Sequence, residues 1–424
     1  MSAKRTIFNQ CRGKQRGAVL MVMLVIMIIG AVTIFVMSLN SSALQIERDK
    51  ITADALAKAK EALIGRAVAD GTSPGSLPCP DTNNDGSAES TVTPTPGNCP
   101  SYIGRLPWKT LGLSDDLRDG YGERLWYALS PNFRDYVTSN PINSNSQGNL
   151  TVSGATTASN VIAIVFAPGA VVSGQSRSPT NMISCTTSGT SVTENLCATN
   201  YLEGSNANLN TATSPNLSYQ TAAASSTFND RLLPIMASDL IPVVEARVAK
   251  ELSNAFASYL LANGNKYPYP VNFPNDMTTP VCIGKIPTAS LTTLPAWFAQ
   301  NNWDNVIYYS AGTNVLPGGV GGAGNKGKGK GGKGSGGLNN GGGGGAISSG
   351  TGCYATTLTV SGTSVNVLFI MPGTPLGTQS RTGVNASLSS SNLSQYFEDP
   401  ENANLDNVYV IPGSSSNDSL DALP

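Results

Sequence analysis

An unbroken apolar run sets the first element. From Ala18 to Leu39 the chain reads AVLMVMLVIMIIGAVTIFVMSL, 22 residues without a charge. That is enough to cross ~30 Å of hydrocarbon as a helix, and it predicts a transmembrane segment at 18–39. The pattern then changes without a break. Between Asn40 and Asp70 there is no Pro and one interior Gly, Gly65. Leu44, Ile51, Ala55, Leu56, Ala59, Leu63 and Ala67 recur at helical spacings, and Asp54 and Lys58 stand four apart. One continuous helix of about 75 Å is predicted, apolar all round at first and amphipathic afterwards.

Beyond Asp70 the pattern is short β runs between turn residues, and it repeats. Leu150–Gly154 and Leu358–Gly362 are both LTVSG. Pro168-Gly169 followed by Gln175-Ser176-Arg177 matches Pro372-Gly373 followed by Gln379-Ser380-Arg381. Tyr201-Leu202-Glu203 answers Tyr396-Phe397-Glu398, and Asn229-Asp230 echoes in Asn417-Asp418. Lys60-Glu61, Gly104-Arg105-Leu106-Pro107 and Leu125-Trp126-Tyr127 have counterparts at Lys250-Glu251, Gly284-Lys285-Ile286-Pro287 and Val306-Ile307-Tyr308. These ordered matches predict a tandem duplication with its boundary near Ser238. A second amphipathic helix starts there, with Ser238 or Asp239 as its cap, Pro242 in its first turn and Asn263-Gly264 at its end. Its apolar stripe is Val244, Val248, Leu252, Ala255, Phe256 and Tyr259. Strands are expected at Arg124–Leu129, Leu150–Ser153 and Asn160–Phe166, and at Asn305–Tyr309, Thr357–Ser361 and Asn366–Met371.

The expected fold class is therefore α+β: the long N-terminal transmembrane and amphipathic helix, then two tandem helix-on-antiparallel-sheet domains. The domain map is a basic leader at 1–17, the membrane segment at 18–39, and domains at 40–238 and 239–424. The second domain carries an insert, Gly318–Gly345, rich in Gly and Lys and unable to build a core; it is expected to be disordered. Lys333 is followed by Gly334, so the tract is no phosphate-binding P-loop.

Charge settles orientation and excludes one partner class. Lys4, Arg5, Arg12, Lys14 and Arg16 precede the apolar run with no acid among them, which predicts a cytoplasmic leader and everything after Leu39 outside. A secretory signal peptide has a shorter apolar region and a small-residue cleavage site, absent here. Without the leader, 21 Lys+Arg face 27 Asp+Glu, which leaves no basic field for nucleic acid.

The basic leader, Arg16-Gly17, the apolar run and its amphipathic continuation resemble the N-terminus of type IV prepilins and type II secretion pseudopilins. The turn Asp119-Gly120-Tyr121-Gly122 before Leu125-Trp126-Tyr127 is similar to a turn in major pseudopilins. The resemblance covers roughly residues 12–70. It implies pilin-like heads and cleavage by a prepilin peptidase between Gly17 and Ala18, with methylation of Ala18. It also implies assembly with other pilin or pseudopilin subunits from the inner membrane into a type IV pilus or type II secretion pseudopilus. The family's acid at the fifth mature position is replaced here by Val22, as in minor subunits at a filament tip. The alternative is a single-pass, periplasm-facing binding protein for a glycan or protein ligand that never polymerises.

Candidate chemistry is sparse. The chain has no His, so the usual general base and the commonest transition-metal ligand are missing, and no enzyme is expected. Six cysteines follow the apolar run, an even number that reads as disulfides in an oxidising compartment. The duplication aligns Cys99 with Cys282, which favours Cys79–Cys99, Cys282–Cys353 and Cys185–Cys197 among the fifteen possible pairings. Asp81, Asn83 and Asp85 with Gly86 match the first half of a Ca²⁺ loop, with Ser87 and Glu89 as further ligands. Val92 stands where the bidentate acid would be, so the rival reading is an Asx-rich turn. Ca²⁺ is the one cofactor suggested. Asp115, Asp116, Asp119 and Glu123 read as a solvated acidic turn, and Arg177 and Arg381 as structural ion pairs. The four tryptophans, Trp108, Trp126, Trp297 and Trp303, read as core or as sugar-stacking surfaces.

Overall fold

A computed structural model describes residues 16–89, 98–135, 141–185, 191–208, 210–211, 213–273, 281–317, 353, 355–381 and 386–423; of 16–19 and 33–41 it describes the backbone only. The leader up to residue 15, Val92 and the insert at 318–345 lie outside these residues.

The chain begins in one long helix, α1 (Arg16–Ala69). Ala55, Leu56, Ala59, Leu63 and Ala67 are buried against the rest of the protein, a stripe with the period of a helix face. At the other end the side chains from Leu20 to Val32 are exposed, Leu20 to 72%. The expected transmembrane segment is overturned: among the described residues no helix is long and apolar enough to cross a membrane.

The first head contains β1 (Ile103–Arg105), β2 (Trp126–Leu129), β3 (Leu150–Gly154), β4 (Ala158–Ala167), β5 (Met182–Ser184), β6 (Ser191–Thr193), β7 (Ser218–Thr221) and β8 (Arg231–Met236). β4 is central. Its inner residues, Val161 to Phe166, are fully buried, as a strand flanked on both edges requires. β2, β3 and β8 all pair with it antiparallel, β1 adds to β2, and β7 adds to β3. β5 and β6 form a separate hairpin.

The helix α2 (Ala237–Ala262) follows β8 directly. Asp239 does not occupy the N-cap position but accepts the Met236 N–H from inside the first turn, at 2.8 Å. The second head contains β9 (Ile283–Lys285), the short helix α3 (Ala296–Gln300), β10 (Tyr308–Ala311), β11 (Leu358–Val360), β12 (Thr363–Val365), β13 (Val367–Met371), β14 (Val408–Tyr409) and β15 (Ser419–Leu423). Its main sheet has the order β15-β13-β10-β9. Phe256 of α2 packs on Phe369 and Tyr309 of this sheet, with ring centroids 4.8 and 5.1 Å apart.

The two heads share a wiring. β1–β2–β4–β8 corresponds to β9–β10–β13–β15, all antiparallel. Gly104 stands opposite Tyr127 and Gly284 opposite Tyr309. Each LTVSG segment pairs antiparallel on one side and parallel on the other: β3 with β4 and β7, β11 with β12 and β14. The expectation of purely antiparallel sheets is corrected by these two parallel pairs. The strand after each LTVSG turn differs between heads. β4 is one ten-residue strand, whereas Asn366 separates β12 from β13, and β11, β12 and β14 form a small sheet of their own.

Candidate functional site

Three features bear on function: the way the heads grip α1, the acidic loop, and a polar cluster present in both heads.

The grip on α1 comes from both heads. In the first, the Asp119–Gly122 turn lies on the helix. Asp119 is buried, and its Oδ1 accepts the Tyr121 and Glu123 amides at 2.8 and 3.0 Å. Its Oδ2 accepts the Gly169 amide at 2.8 Å. The Gly120 N–H donates to Thr52 Oγ1 of α1 at 3.0 Å, and the Arg48 guanidinium stands 5.0 Å over the Tyr121 ring. From the second head, Lys60 of α1 pairs with Asp239 of α2 at 2.8 Å. Arg247 of α2 donates to Val68 O in the last turn of α1 and to Asp70 O just beyond it. One end of α1 is thus fixed by side chains from both heads, while its exposed apolar end projects away from these contacts.

The acidic loop closes on itself. Asp81 is buried; its Oδ1 accepts the amides of Asn83 and Asn84 at 3.1 and 2.6 Å, and its Oδ2 that of Gly86 at 2.7 Å. Asn83 and Asp85 repeat the turn, accepting the amides of Asp85 and Ser87. Gly86 has φ +85°, which favours glycine, and a Cβ there would meet the Trp108 ring nitrogen at 2.4 Å. Glu89 Oε1 accepts the Thr82 amide and hydroxyl. Two cations cover the loop: Lys109 Nζ donates to Asp85 O, and Arg124 to the Asn84 carbonyl. Burial raises the Asp81 pKa, and the Ser87 amide lowers that of Asp85. Of the suggested Ca²⁺ ligands, Asp81, Asn83, Asp85 and Glu89 all spend oxygens on the loop's own donors, and the Ser87 amide is one of those donors. Among the described residues no group of three or more Asp, Glu, His or Cys side chains is placed to hold a metal ion.

The disulfides are Cys79–Cys99, Cys185–Cys197 and Cys282–Cys353. The first closes the stretch that carries the acidic loop.

The polar cluster is the feature that sequence reasoning found only in part. Arg177 Nε donates to Asn200 O at 2.9 Å, Nη1 to Gly169 O and Nη2 to Gln175 Oε1. Arg381 repeats this with Gln395 O at 2.7 Å, Gly373 O and Gln379 Oε1. Each guanidinium lies over the tyrosine of the Tyr-x-Glu segment, Tyr201 or Tyr396, at 4.4 and 4.9 Å. Gln175 and Gln379 then donate to Glu203 and Glu398 at 2.6 and 2.8 Å. Arg177 also pairs with Glu123 at 2.7 Å. Asp116 pairs with Arg118 and Arg124, so much of the expected solvated acidic turn is bound up in ion pairs.

The tryptophans divide. Trp126, Trp297 and Trp303 are buried and present no sugar-stacking face; Trp108 is half-buried. Buried Arg105 lies between Trp126 and Tyr201, 4.4 and 3.9 Å from the ring centroids, and burial pushes its pKa down to about 10. Its counterpart Lys285 is lowered by burial as well.

Comparison with family models, curated proteins and solved structures gives no match.

Proposed function

We propose that this chain is a minor pilin-like or pseudopilin-like structural subunit. It would be matured by a prepilin peptidase between Gly17 and Ala18 and assembled near the tip of a type IV pilus or type II secretion pseudopilus. Its partners would be that peptidase and other pilin or pseudopilin subunits. Its heads would lie in the periplasm or on a surface filament, a setting that suits three disulfides.

The observation that carries this reading is the division of α1. One end is held by two heads, while the other exposes apolar side chains from Leu20 to Val32. A contiguous apolar row of that length marks an association surface. Other helices of the same kind would cover it by ridge-into-groove packing. The reading gives each part a role: α1 assembles, the clamp transmits its position, and the heads project. It asks for no catalytic residue. The replacement of an acid by Val22 supports placement at the tip.

Co-expression with a prepilin peptidase tests it. The expected product is a mature chain starting at Ala18, found in sheared filaments and blocked by Gly17→Ala. An intact N-terminus beside a correctly cleaved control prepilin would overturn the proposal.

A further inference from the structure

The polar cluster ends, in both heads, on two carboxyl groups locked together through backbone amides. Asp230 Oδ2 accepts the Glu203 amide at 2.8 Å, and Asp418 Oδ2 accepts the Glu398 amide at 3.3 Å. In return Glu203 Oε2 accepts the Asn229 and Asp230 amides at 3.0 and 3.1 Å. Glu398 Oε2 accepts the Ser416 hydroxyl at 2.6 Å and the Asn417 amide at 3.3 Å. Each aspartate thus accepts the amide of the glutamate, and each glutamate accepts amides next to or at the aspartate. The two carboxyl groups of a pair are therefore neighbours, and burial, then the glutamate, raises the pKa of the aspartate. The remaining oxygen, Oδ1 of Asp230 and of Asp418, is buried and has no donor among the described residues. The same orphan recurs at the same place in both heads.

An ionised oxygen buried without a donor is costly, and two neighbouring carboxylates cannot both ionise cheaply. A proton on Oδ1, donated to the neighbouring glutamate, removes both costs at once. The location matters. Asp230 immediately precedes β8 and Asp418 immediately precedes β15, the last strand of each head. β8 continues into α2, so it is held at both ends. Among the described residues β15 is an edge strand that pairs with β13 alone.

We propose that each head fastens its last strand with one proton shared between two carboxyl groups, Glu203–Asp230 and Glu398–Asp418, and that loss of this proton releases β15. Burial and then the neighbouring glutamate raise the Asp418 pKa to about 8, and Asp230 is raised well above the carboxylate range by the same two causes. Other charges face the second pair. Arg381 opposes the rise at Asp418, and Glu245 reaches the same region through Gly373. Asp421, within β15, accepts from the Ser253 hydroxyl at 3.1 Å. Near the first pair stand Arg177, held through Gln175, and Arg231, which pairs with Asp49.

The sign follows from linkage. Closed β15 keeps the proton up to about pH 8, whereas released Asp418 loses it near its ordinary value of 3.8. Release is therefore promoted as pH rises through this window and gains nothing further above it. Hydrogen exchange followed by mass spectrometry on the full chain, corrected for the intrinsic pH dependence, reads the effect. Protection of the amides at 419–423 should fall by about tenfold per pH unit between pH 5 and 8. In Asp418→Asn the amide supplies the same donor and acceptor without titrating. Protection should then be flat with pH and at least as high as wild type at pH 8. β8 should remain protected throughout. Should Asp418→Asn fail to fold, Glu398→Gln serves, with a shallower slope expected. A flat wild-type profile, an unchanged slope in the variant, or a slope that disappears in Glu245→Gln instead would overturn the proposal.

Discussion

Arg247 of α2 caps the C-terminus of α1 by donating to the Asp70 carbonyl at 2.7 Å. The same guanidinium donates to Val68 O and stands 5.2 Å over the Trp297 ring. The last carbonyls of a helix have no partners within it, and a cation there also complements the helix dipole. Asp70 itself finishes the turn, accepting the Thr72 and Ser73 amides and pairing with Arg66. One residue of the second head thus holds the end of the element that carries the first.

Arg247→Ala should therefore loosen both heads from α1 together. Two charge-assisted hydrogen bonds and a cation–π contact are lost, a cost of about 2–4 kcal/mol. Arg247→Lys should recover part of it, since a lysine keeps the charge but not the fork. A thermal melt showing wild-type stability for Arg247→Ala would mean that water caps the helix equally well.

Gly120→Ala should break the other half of the grip. A Cβ at this position would meet Arg48 O at 2.2 Å, so the turn has to lift from α1. The Gly120–Thr52 hydrogen bond and the Arg48–Tyr121 stack would go with it. A loss of about 1–3 kcal/mol is expected, as for overpacking elsewhere. Limited proteolysis should then cut α1 near Arg48 or Lys50 sooner than in wild type. Unchanged cleavage there would argue that Asp119 anchors the turn without the helix.

Glu245 makes the junction between the heads sensitive to pH. This α2 residue is 2% exposed; its Oε1 accepts the Ser144 hydroxyl of the first head at 2.6 Å and the Gly373 amide of the second at 3.1 Å. Burial raises its pKa to about 7, against 4.5 ordinarily. The folded state then binds the proton more tightly than the unfolded state. The stability tied to this group is complete below about pH 4.5 and is lost as pH rises to about 7, roughly 3 kcal/mol in all. Glu245→Gln should remove that slope. The comparison that decides is the difference between wild type and variant across pH 4.5–7.5, because Asp418 and Asp230 contribute slopes of the same sign to both proteins.

Particular residues show what the sequence could convey. The stripe Val244, Val248, Leu252, Ala255 and Phe256 marks the buried face of α2 because burial there is a periodic property of one segment. Glu245 interrupts no period, and only its distant partners Ser144 and Gly373 explain its burial. The repeat brought out Arg177 and Arg381 with their glutamines, and both Tyr-x-Glu segments, because each is a local string. That Glu203 meets Asp230, 27 residues on, depends on two loops converging at one end of the sheet. The parallel pairs β3–β7 and β11–β14 were illegible for a similar reason: alternation tells which face of a strand is buried, not which neighbour it takes. The acidic loop illustrates a third limit. Asp-x-Asn-x-Asp-Gly spacing is shared by metal loops and by successive Asx turns, and Lys109 and Arg124 reach the loop from outside it.

That last ambiguity yields a quantitative test. Asp81 accepts three backbone amides, from Asn83, Asn84 and Gly86, and is itself buried. Removing it in Asp81→Ala strands these donors and should cost about 2–4 kcal/mol. A bound Ca²⁺, by mass action, would add only about 1.4 kcal/mol at ten times its Kd. If the loop is organised by Asp81 rather than by a metal, the loss on Asp81→Ala should be nearly the same in Ca²⁺ and in chelator. Asp85→Ala should cost far less, since Asp85 is exposed and accepts one amide, from Ser87. The alternative has a distinct signature: a wild-type melting midpoint several degrees higher in Ca²⁺ than in chelator, with the increment abolished by both Asp81→Ala and Asp85→Ala. That result would make the loop a metal site whose cations, Lys109 and Arg124, give way when the ion binds.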